Sequence, residues 1–215
     1  MMIKRLAIAG VVWMLAAPLA PAAVAQEGRR VSRTPSELLA GFRAAPEGSS
    51  SPVSRDITQV LTYPEDYPRQ DLEAFLAGLE ELAVHGNSYR LRISAVVKVY
   101  LAGERGMKHP VPETVDRLER IYARSEDGSV RSAVMQMLPG VSERAKALSF
   151  LEARAIEGPG IPGYPWSVRN AIGSLARMGP EGGAVLRRLH EVGAIRDPEA
   201  RVILETMASN GFRIP

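Results

Sequence analysis

Four arginines stand at matching places in the sequence, each near the start of an apolar run: Arg92, Arg131, Arg169 and Arg201. Their successive spacings are 39, 38 and 32 residues. A guanidinium group is a planar fork of hydrogen-bond donors that is always charged, so it recognises carboxylates and carbonyl oxygens. The chemistry that this pattern offers is therefore recognition of acidic or carbonyl groups at regular intervals.

Two hypotheses explain the repeated arginines. In the first, they project into a groove together with Arg90, Lys98 and Asn170 and form a cationic track for an acidic peptide or glycan. In the second, each arginine pairs with a carboxylate or with helix carbonyls of the neighbouring repeat and only joins the repeats. The second is favoured, because a feature present in every unit is most simply explained by what every unit needs.

Aromatic residues beside prolines are a further set of candidates, and they are Tyr63, Tyr67, Tyr164 and Trp166. Aromatic side chains are enriched in recognition surfaces, but they also pack over helix ends. For a binding surface, the sequence predicts these partner-binding residues: Arg92, Arg131, Trp166, Arg169 and Arg201.

Residues 158–163, Gly-Pro-Gly-Ile-Pro-Gly, have the glycine spacing of a dinucleotide-binding loop. That loop follows a strand and points backbone amides at a pyrophosphate. Here an apolar helical run precedes the segment, and two of its positions are prolines, which have no amide hydrogen. We therefore predict an ordinary loop between helices. The Gly-x-Ser-x-Gly and Gly-x-x-x-x-Gly-Lys motifs are missing from the sequence.

The remaining ionisable residues form no pattern typical of a catalytic or metal site. His85, His109 and His190 lack a second ligand at the spacing of helical metal motifs. Adjacent carboxylates such as Glu80 and Glu81 are typical of solvated helix faces. We expect no cofactor, no metal and no catalytic residue.

The elements that must position these residues are predicted to be helices, because apolar residues recur every three or four positions from about residue 71 onward. We predict helices over 71–85, 88–102, 129–138, 165–178 and 181–192, with others beginning near 112, 142 and 197. Gly86 is predicted to end the first in a left-handed conformation, and Ser142 to cap the third pair. The result is about four antiparallel helix pairs, with the tail from Phe212 folded back as a cap.

An additional short helix is predicted over residues 35–45. Thr34-Pro35-Ser36-Glu37 has the residues of a reciprocal capping arrangement, with proline in the first turn. Residues 46–52 are rich in glycine, serine and proline and are predicted to be a flexible linker. We therefore expect a tethered helix within a flexible segment, residues 26–54, ahead of the repeat domain, residues 55–215.

The second helix of each pair resembles the inner helix of HEAT repeats, where a short core such as Val130-Arg131 or Val168-Arg169 opens the helix. The likeness covers roughly residues 71–211. It implies an all-α fold, a HEAT-like α-solenoid in which antiparallel helix pairs stack with a right-handed turn. It also implies that the second helices line a concave face that binds partners. The long connections at 103–111 and 158–164 depart from the regular HEAT pattern.

The first 25 residues are predicted to be a signal peptide, since Lys4 and Arg5 precede an apolar run and Ala23-Val24-Ala25 is a suitable cleavage site. An uncleaved membrane anchor is the alternative, but the apolar run is short and is followed by two prolines. Export to the periplasm or the extracellular medium is expected, without stable membrane insertion after cleavage. The chain has no cysteine, so disulfides are excluded.

The charge balance argues against nucleic-acid binding. The chain has 27 Lys and Arg residues against 24 Asp and Glu, and loss of Lys4 and Arg5 with the signal peptide leaves 25 against 24. No block of like charge stands out, whereas a nucleic-acid surface needs a concentrated basic footprint.

The function that these patterns favour is that of an exported, non-catalytic helical-repeat scaffold. It would bind another protein or a peptide through the concave face of the stack. Two alternatives stay open from the sequence. One is an enzyme, or the regulatory subunit of a hydrolase, with a site assembled from distant residues; the other is a structural protein of the cell envelope.

Overall fold

The computed structural model describes residues 31, 33–44 and 51–212, and every regular element in these ranges is helical. The all-α prediction is confirmed for this part of the chain. Two short 3-10 turns lie at Pro64–Asp66 and Leu138–Gly140. The α-helices are α1 (Pro35–Ala44), α2 (Pro52–Thr62), α3 (Arg69–His85), α4 (Tyr89–Ala102), α5 (Thr114–Arg124), α6 (Gly128–Met137), α7 (Arg144–Ala155), α8 (Trp166–Arg177), α9 (Pro180–Glu191) and α10 (Pro198–Ser209).

Some sequence predictions fall on residues that the structure does not describe. They are the signal peptide at 1–25, the start of the mature chain at Gln26 and most of the predicted linker, residues 46–50. In the described ranges, no helix is both long enough and apolar enough to cross a lipid bilayer.

Side-chain caps set several helix starts as the sequence predicts. The Thr34 amide donates to Glu37 Oε2 at 2.7 Å, and the Glu37 amide donates to Thr34 Oγ1 at 3.3 Å, which is the predicted reciprocal cap of α1. Asp197 likewise caps α10, since its Oδ2 accepts from the Ala200 amide at 2.8 Å. These bonds satisfy amide groups that the first helical turn leaves without partners.

Two predicted helix ends are wrong in detail. Gly86 does follow α3, but its φ is −56°, so it is not in the left-handed conformation. Glycine is required there for space instead, because a Cβ would lie 2.5 Å from the Leu82 carbonyl oxygen. Ser142 does not cap α7, whose N-cap residue is Glu143.

The helices contact one another in two ordered series. The odd-numbered helices contact in the order α1, α3, α5, α7 and α9, and the even-numbered ones in the order α2, α4, α6, α8 and α10. Each odd helix also contacts the even helix that follows it. The apolar side chains between the two series form one buried cluster that extends from Leu38 to Phe212.

Helices α1 and α2 belong to this packing. Leu38 of α1 is fully buried and Phe42 is 5% exposed, while α1 contacts both α2 and α3. The sequence predicted a tethered helix over 35–45; the helix is present, and its apolar face is buried against α2 and α3. Helix α2 begins at Pro52, within the predicted flexible segment. Ser51 caps it by accepting from the Ser54 amide.

Ion pairs join neighbouring odd helices. Arg117 of α5 lies 2.6 Å from Glu80 of α3 and also pairs with Glu73. Lys146 of α7 lies 2.6 Å from Asp116 of α5. Further along, Arg188 of α9 lies 2.5 Å from Glu152 of α7.

Phe212, the first residue of the predicted carboxyl-terminal cap, folds back onto the helices, while residues 213–215 of that prediction lie outside the described residues. The Phe212 amide donates to the Met207 carbonyl at 2.8 Å, and the Phe212 side chain is 8% exposed. Its ring lies edge-on to His190, and the Arg187 guanidinium stands 5.8 Å from its centroid. Phe212 therefore covers part of α9 at the end of the helix series.

Candidate partner-binding face

The four matched arginines occupy one register position, four residues after the N-cap residue of α4, α6, α8 and α10. Arg92 has two partners. Its Nη1 donates to the Gly86 carbonyl at 2.8 Å, and its Nη2 donates to Asp127 Oδ2 at 2.7 Å. Because Asp127 is the N-cap residue of α6, Arg92 ties the start of α4 to the start of the next even helix.

Arg131 is the most buried of the four, with 7% of its surface exposed. Its Nε donates to the Ser125 carbonyl at 2.6 Å, and its Nη1 donates to the Pro162 carbonyl at 2.7 Å. The guanidinium also lies 4.8 Å from the centroid of the Tyr122 ring. Arg131 thus holds the predicted inter-helix loop, residues 158–163, against α6.

Arg169 repeats the geometry of Arg92. Its Nε donates to Asp197 Oδ2 at 3.1 Å, and its Nη1 lies 2.7 Å from Glu199. Burial by itself raises the pKa of Asp197. Hydrogen bonds from Arg169 and the Ala200 amide more than offset this effect, so the net pKa of Asp197 is lowered. The N-cap residue of α10 is thereby kept ionised.

Arg201 is the exposed member of the set. Its Nη2 donates to the Ile195 carbonyl at 3.3 Å, and it forms no ion pair with a carboxylate in the described residues. Three of the four arginines therefore join neighbouring elements, as the second hypothesis predicts. The partner-binding role that the first hypothesis gives to all four stays a prediction.

A fifth arginine completes the register and was missed by sequence reasoning. Arg55 lies four residues after Ser51, the N-cap residue of α2, and it is exposed. The signal was available, since Arg55 precedes Arg92 by 37 residues and follows Pro52-Val53-Ser54. It was overlooked because the preceding residues have the composition of a linker.

Hydrogen bonds between α6 and α8 show that these helices run parallel and in register. Asn170 Nδ2 donates to Ser132 Oγ at 2.8 Å, and both residues lie five positions after their N-cap residues. Farther along, Ser174 Oγ donates to the Met135 carbonyl at 2.8 Å and Arg177 donates to the Gln136 carbonyl at 3.3 Å. Equivalent positions on the two helices therefore lie side by side.

The open stripe of the even helices follows from this register. One face of each even helix holds the residues that lie one, five, eight (or nine) and twelve positions after the N-cap residue. On α8 they are Trp166, Asn170, Gly173 and Arg177, all exposed or half-buried. We call this surface, continued over α4, α6, α8 and α10, the even-helix face.

Exposed apolar side chains lie on the even-helix face. Tyr89 of α4 and Trp166 of α8 both stand one residue after the N-cap residue and are 54% and 66% exposed. Val202 of α10, five residues after its N-cap residue, is 60% exposed. The Arg169 guanidinium lies 5.3 Å from the centroid of the Trp166 ring. Tyr and Trp are enriched in protein interfaces, so the exposure of Tyr89 and Trp166 at equivalent positions makes the even-helix face the candidate binding surface.

Lys98 is a buried cation between α4 and α2. Its Nζ donates to the Ser54 carbonyl at 3.1 Å and to Thr58 Oγ1 at 2.7 Å. Burial lowers the pKa of Lys98 to about 8. Sequence reasoning placed Lys98 in a cationic track, whereas the structure places its ammonium group inside the α2–α4 contact.

The histidines lie apart from one another. His85 lies 3.8 Å from Glu81, His109 lies 3.6 Å from Glu65, and His190 contacts Phe212. In the described part of the chain, no group of three or more His, Asp or Glu residues could hold a metal ion. An open pocket of about 390 Å³ lies at the end of α3, on the odd series, and it is lined by Arg43, Glu81, Leu82, His85, Gly86 and Asn87.

Comparison with known proteins gave no match: no protein-family profile, no curated protein and no solved structure matches this chain.

Proposed function

We propose that the described helices form a HEAT-like α-solenoid that binds another protein or a peptide through the even-helix face. The ordered contacts within each helix series and the parallel register of α6 and α8 support a stack of antiparallel pairs. Since α1 and α2 also pack in order, the proposed stack has five pairs rather than about four. In this arrangement the even-helix face is the concave one.

The observation that carries the binding function is the exposure of Tyr89 and Trp166 at equivalent positions two even helices apart. Aromatic residues give most of the binding energy in many interfaces, because their large rigid surfaces lose little entropy. Arg169 lies against Trp166, so the ring is already held before a partner arrives.

We further propose that the protein is exported and acts without catalytic chemistry of its own. The basic start, apolar run and small-residue cleavage site in residues 1–25 support export to the periplasm or the extracellular medium. The support for a scaffold role is the shape of the face, a row of parallel helices with exposed anchors.

Affinity capture with matched variants tests the proposal. The full chain, processed by its host, is used to capture partners from an envelope fraction, and binding of each purified partner is then measured by calorimetry. Trp166→Ala should weaken binding by about 30-fold, which corresponds to a hot-spot loss of about 2 kcal/mol. Val202→Ala should weaken it less, by a fewfold.

Val192→Ala is the matched control for Val202→Ala. Val192 is 68% exposed but lies at the end of α9, away from the even-helix face. The proposal is wrong if Trp166→Ala and Tyr89→Ala bind every captured partner with unchanged affinity. Arg131→Glu is unsuitable here, since the carboxylate would be buried against the Ser125 and Pro162 carbonyls.

A further inference from the structure

The two helix series differ sharply in charge. The odd helices contain ten basic and ten acidic residues, whereas the even helices contain eight basic and three acidic residues. The central even helices α4, α6 and α8 contain no Asp or Glu at all. The balanced charge of the whole chain therefore hides a positive even series beside a neutral odd series.

Ion pairs neutralise only part of this positive charge. Arg92 pairs with Asp127, and Arg169 pairs with Asp197 and Glu199. Asp56, the acidic residue of α2, pairs with Arg33 and so adds no negative charge to the even series.

Other cations of the even helices bind neutral oxygens instead of carboxylates. Lys98 and Arg131 bind carbonyl and hydroxyl groups, as described above, and Arg177 Nη2 donates to Ser174 Oγ at 2.9 Å. None of the three forms an ion pair with a carboxylate of the described residues. Burial without a compensating anion lowers the pKa of Lys98. A positive potential is therefore expected over α4, α6 and α8, which have no Asp or Glu, whereas α10 has the exposed Glu199 and Glu205.

Two accessible cations lie on the helices that carry Trp166 and Val202. Arg201 lies one residue before Val202 on α10, and Arg177 lies on the same stripe of α8 as Trp166 but at the other end of the helix, roughly 16 Å away. Both side chains are exposed and are without a carboxylate partner in the described ranges. Apolar anchors and accessible cations thus occur together on α8 and α10.

We propose that the occupant of the even-helix face is an acidic protein segment, bound in an extended conformation across the helices. Its apolar side chains lie against Tyr89 and Trp166, and its carboxylates lie near Arg201 and, at the other end of α8, near Arg177. This inference rests on the proposed function and names the chemical class of the partner.

The spacing of the helices sets the spacing of the apolar residues in the partner. Packed helices lie 8–10 Å apart, so α4 and α8 are separated by roughly 18 Å. An extended chain advances about 3.3 Å per residue, so apolar residues about five or six positions apart reach both anchors. Nucleic acid fits less well, since its affinity depends on many phosphate contacts and this face has few accessible cations.

Selection of peptides tests the chemical class without knowledge of the natural partner. Random peptides of roughly 12 residues, about 40 Å long when extended, are displayed on phage and selected on the full processed chain. Peptides that bind the wild type but not Trp166→Ala are sequenced. They should contain Asp and Glu at about twice the frequency of the library, with apolar residues about five or six positions apart.

The outcomes of this selection separate the two proposals. If Trp166-dependent peptides show no enrichment in Asp and Glu, the acidic-partner inference is overturned while the binding face survives. If no selected peptide depends on Trp166 or Tyr89, the proposed binding face itself is overturned, and the acidic-partner inference with it.

A direct binding measurement gives the second test. A selected peptide is labelled with a fluorophore and compared with a version in which every Asp is Asn and every Glu is Gln. The acidic version should bind about tenfold tighter at low salt, and this advantage should shrink as salt screens the charges. Arg177→Gln should reduce the advantage severalfold.

The control is Arg187→Gln, because Arg187 is exposed but belongs to the odd helix α9. It should leave peptide affinity unchanged. Equal losses in Arg177→Gln and Arg187→Gln would mean that only the overall charge matters and would overturn the inference. Displacement of the peptide by an equal concentration of a thymidine oligonucleotide would also overturn it, in favour of nucleic acid.

Discussion

At the residue scale, the repeated arginine is a device that links the starts of neighbouring even helices. Arg92 and Arg169 reach the N-cap carboxylate of the next even helix at 2.7 and 3.1 Å, while Arg131 reaches a carbonyl in the loop before α8. Arg201 lies in the last even helix and is left exposed. The same residue type thus joins helices inside the series and supplies an accessible cation at its end.

The burial of Lys98 makes the stability of the folded chain depend on pH. Its pKa is about 8 in the folded chain and near 10.5 when unfolded, so the unfolded state binds more protons between these values. The free energy of unfolding should therefore rise as pH increases through this window. Relative to Lys98→Met, the wild type should gain about 1–3 kcal/mol between pH 7.5 and pH 10.5, as measured by urea denaturation.

Lys108→Met is the control for this prediction, because Lys108 is exposed in the loop after α4. The difference between wild type and Lys108→Met should stay constant over the same pH range. A constant difference for Lys98→Met would contradict the buried position of its ammonium group.

At the element scale, the starts of α1 and α10 and the apolar spacing of several helices were predictable because their signals are local. The cap at Thr34 and Glu37, the cap at Asp197 and the three-and-four spacing of apolar residues all act within a few residues of one another. The arginine spacing likewise predicted equivalent positions on successive even helices. These features required no knowledge of tertiary contacts.

Contacts made at a distance along the chain were not predictable. The burial of Leu38 depends on α2 and α3, and the partner of Arg131 is a backbone carbonyl 31 residues away. Carbonyl groups carry no sequence signal, since every residue has one. The sequence also does not show that Arg177 and Tyr89 lie on one face, because this depends on how the even helices are aligned with one another.

Adjacent glycines in α9 test the close packing of helix pairs. A Cβ on Gly182 would overlap the Leu175 carbonyl oxygen of α8, whereas a Cβ on Gly183 would meet its nearest neighbour at 3.7 Å. Gly182→Ala should therefore lower the free energy of unfolding by about 2 kcal/mol or more through overpacking. Gly183→Ala should raise it by up to about 1 kcal/mol, because alanine favours the helix.

Thermal and urea denaturation of both variants measure this difference. Each serves as the control for the other, since the substitution and the helix are the same. Equal effects at the two positions would show that α8 and α9 do not approach as described.

At the scale of the whole molecule, the proposed binding face depends on the order of the even helices. Only a side-by-side series brings Tyr89, Trp166 and Val202 to one face and separates the positive even helices from the neutral odd ones. In the proposed function, stability and binding depend on different parts of the same helices, with apolar packing on one side and the exposed anchors on the other.

The most direct test of this order is a set of distances between spin labels at equivalent positions five residues after the N-cap. Because the chain has no cysteine, Ile93→Cys, Ser132→Cys, Asn170→Cys and Val202→Cys can be combined in labelled pairs. Distances from residue 93 should increase stepwise by about 10 Å per helix to 132, 170 and 202, reduced by the curvature of the stack. Similar distances for all three pairs, as in helices grouped around one centre, would contradict the account.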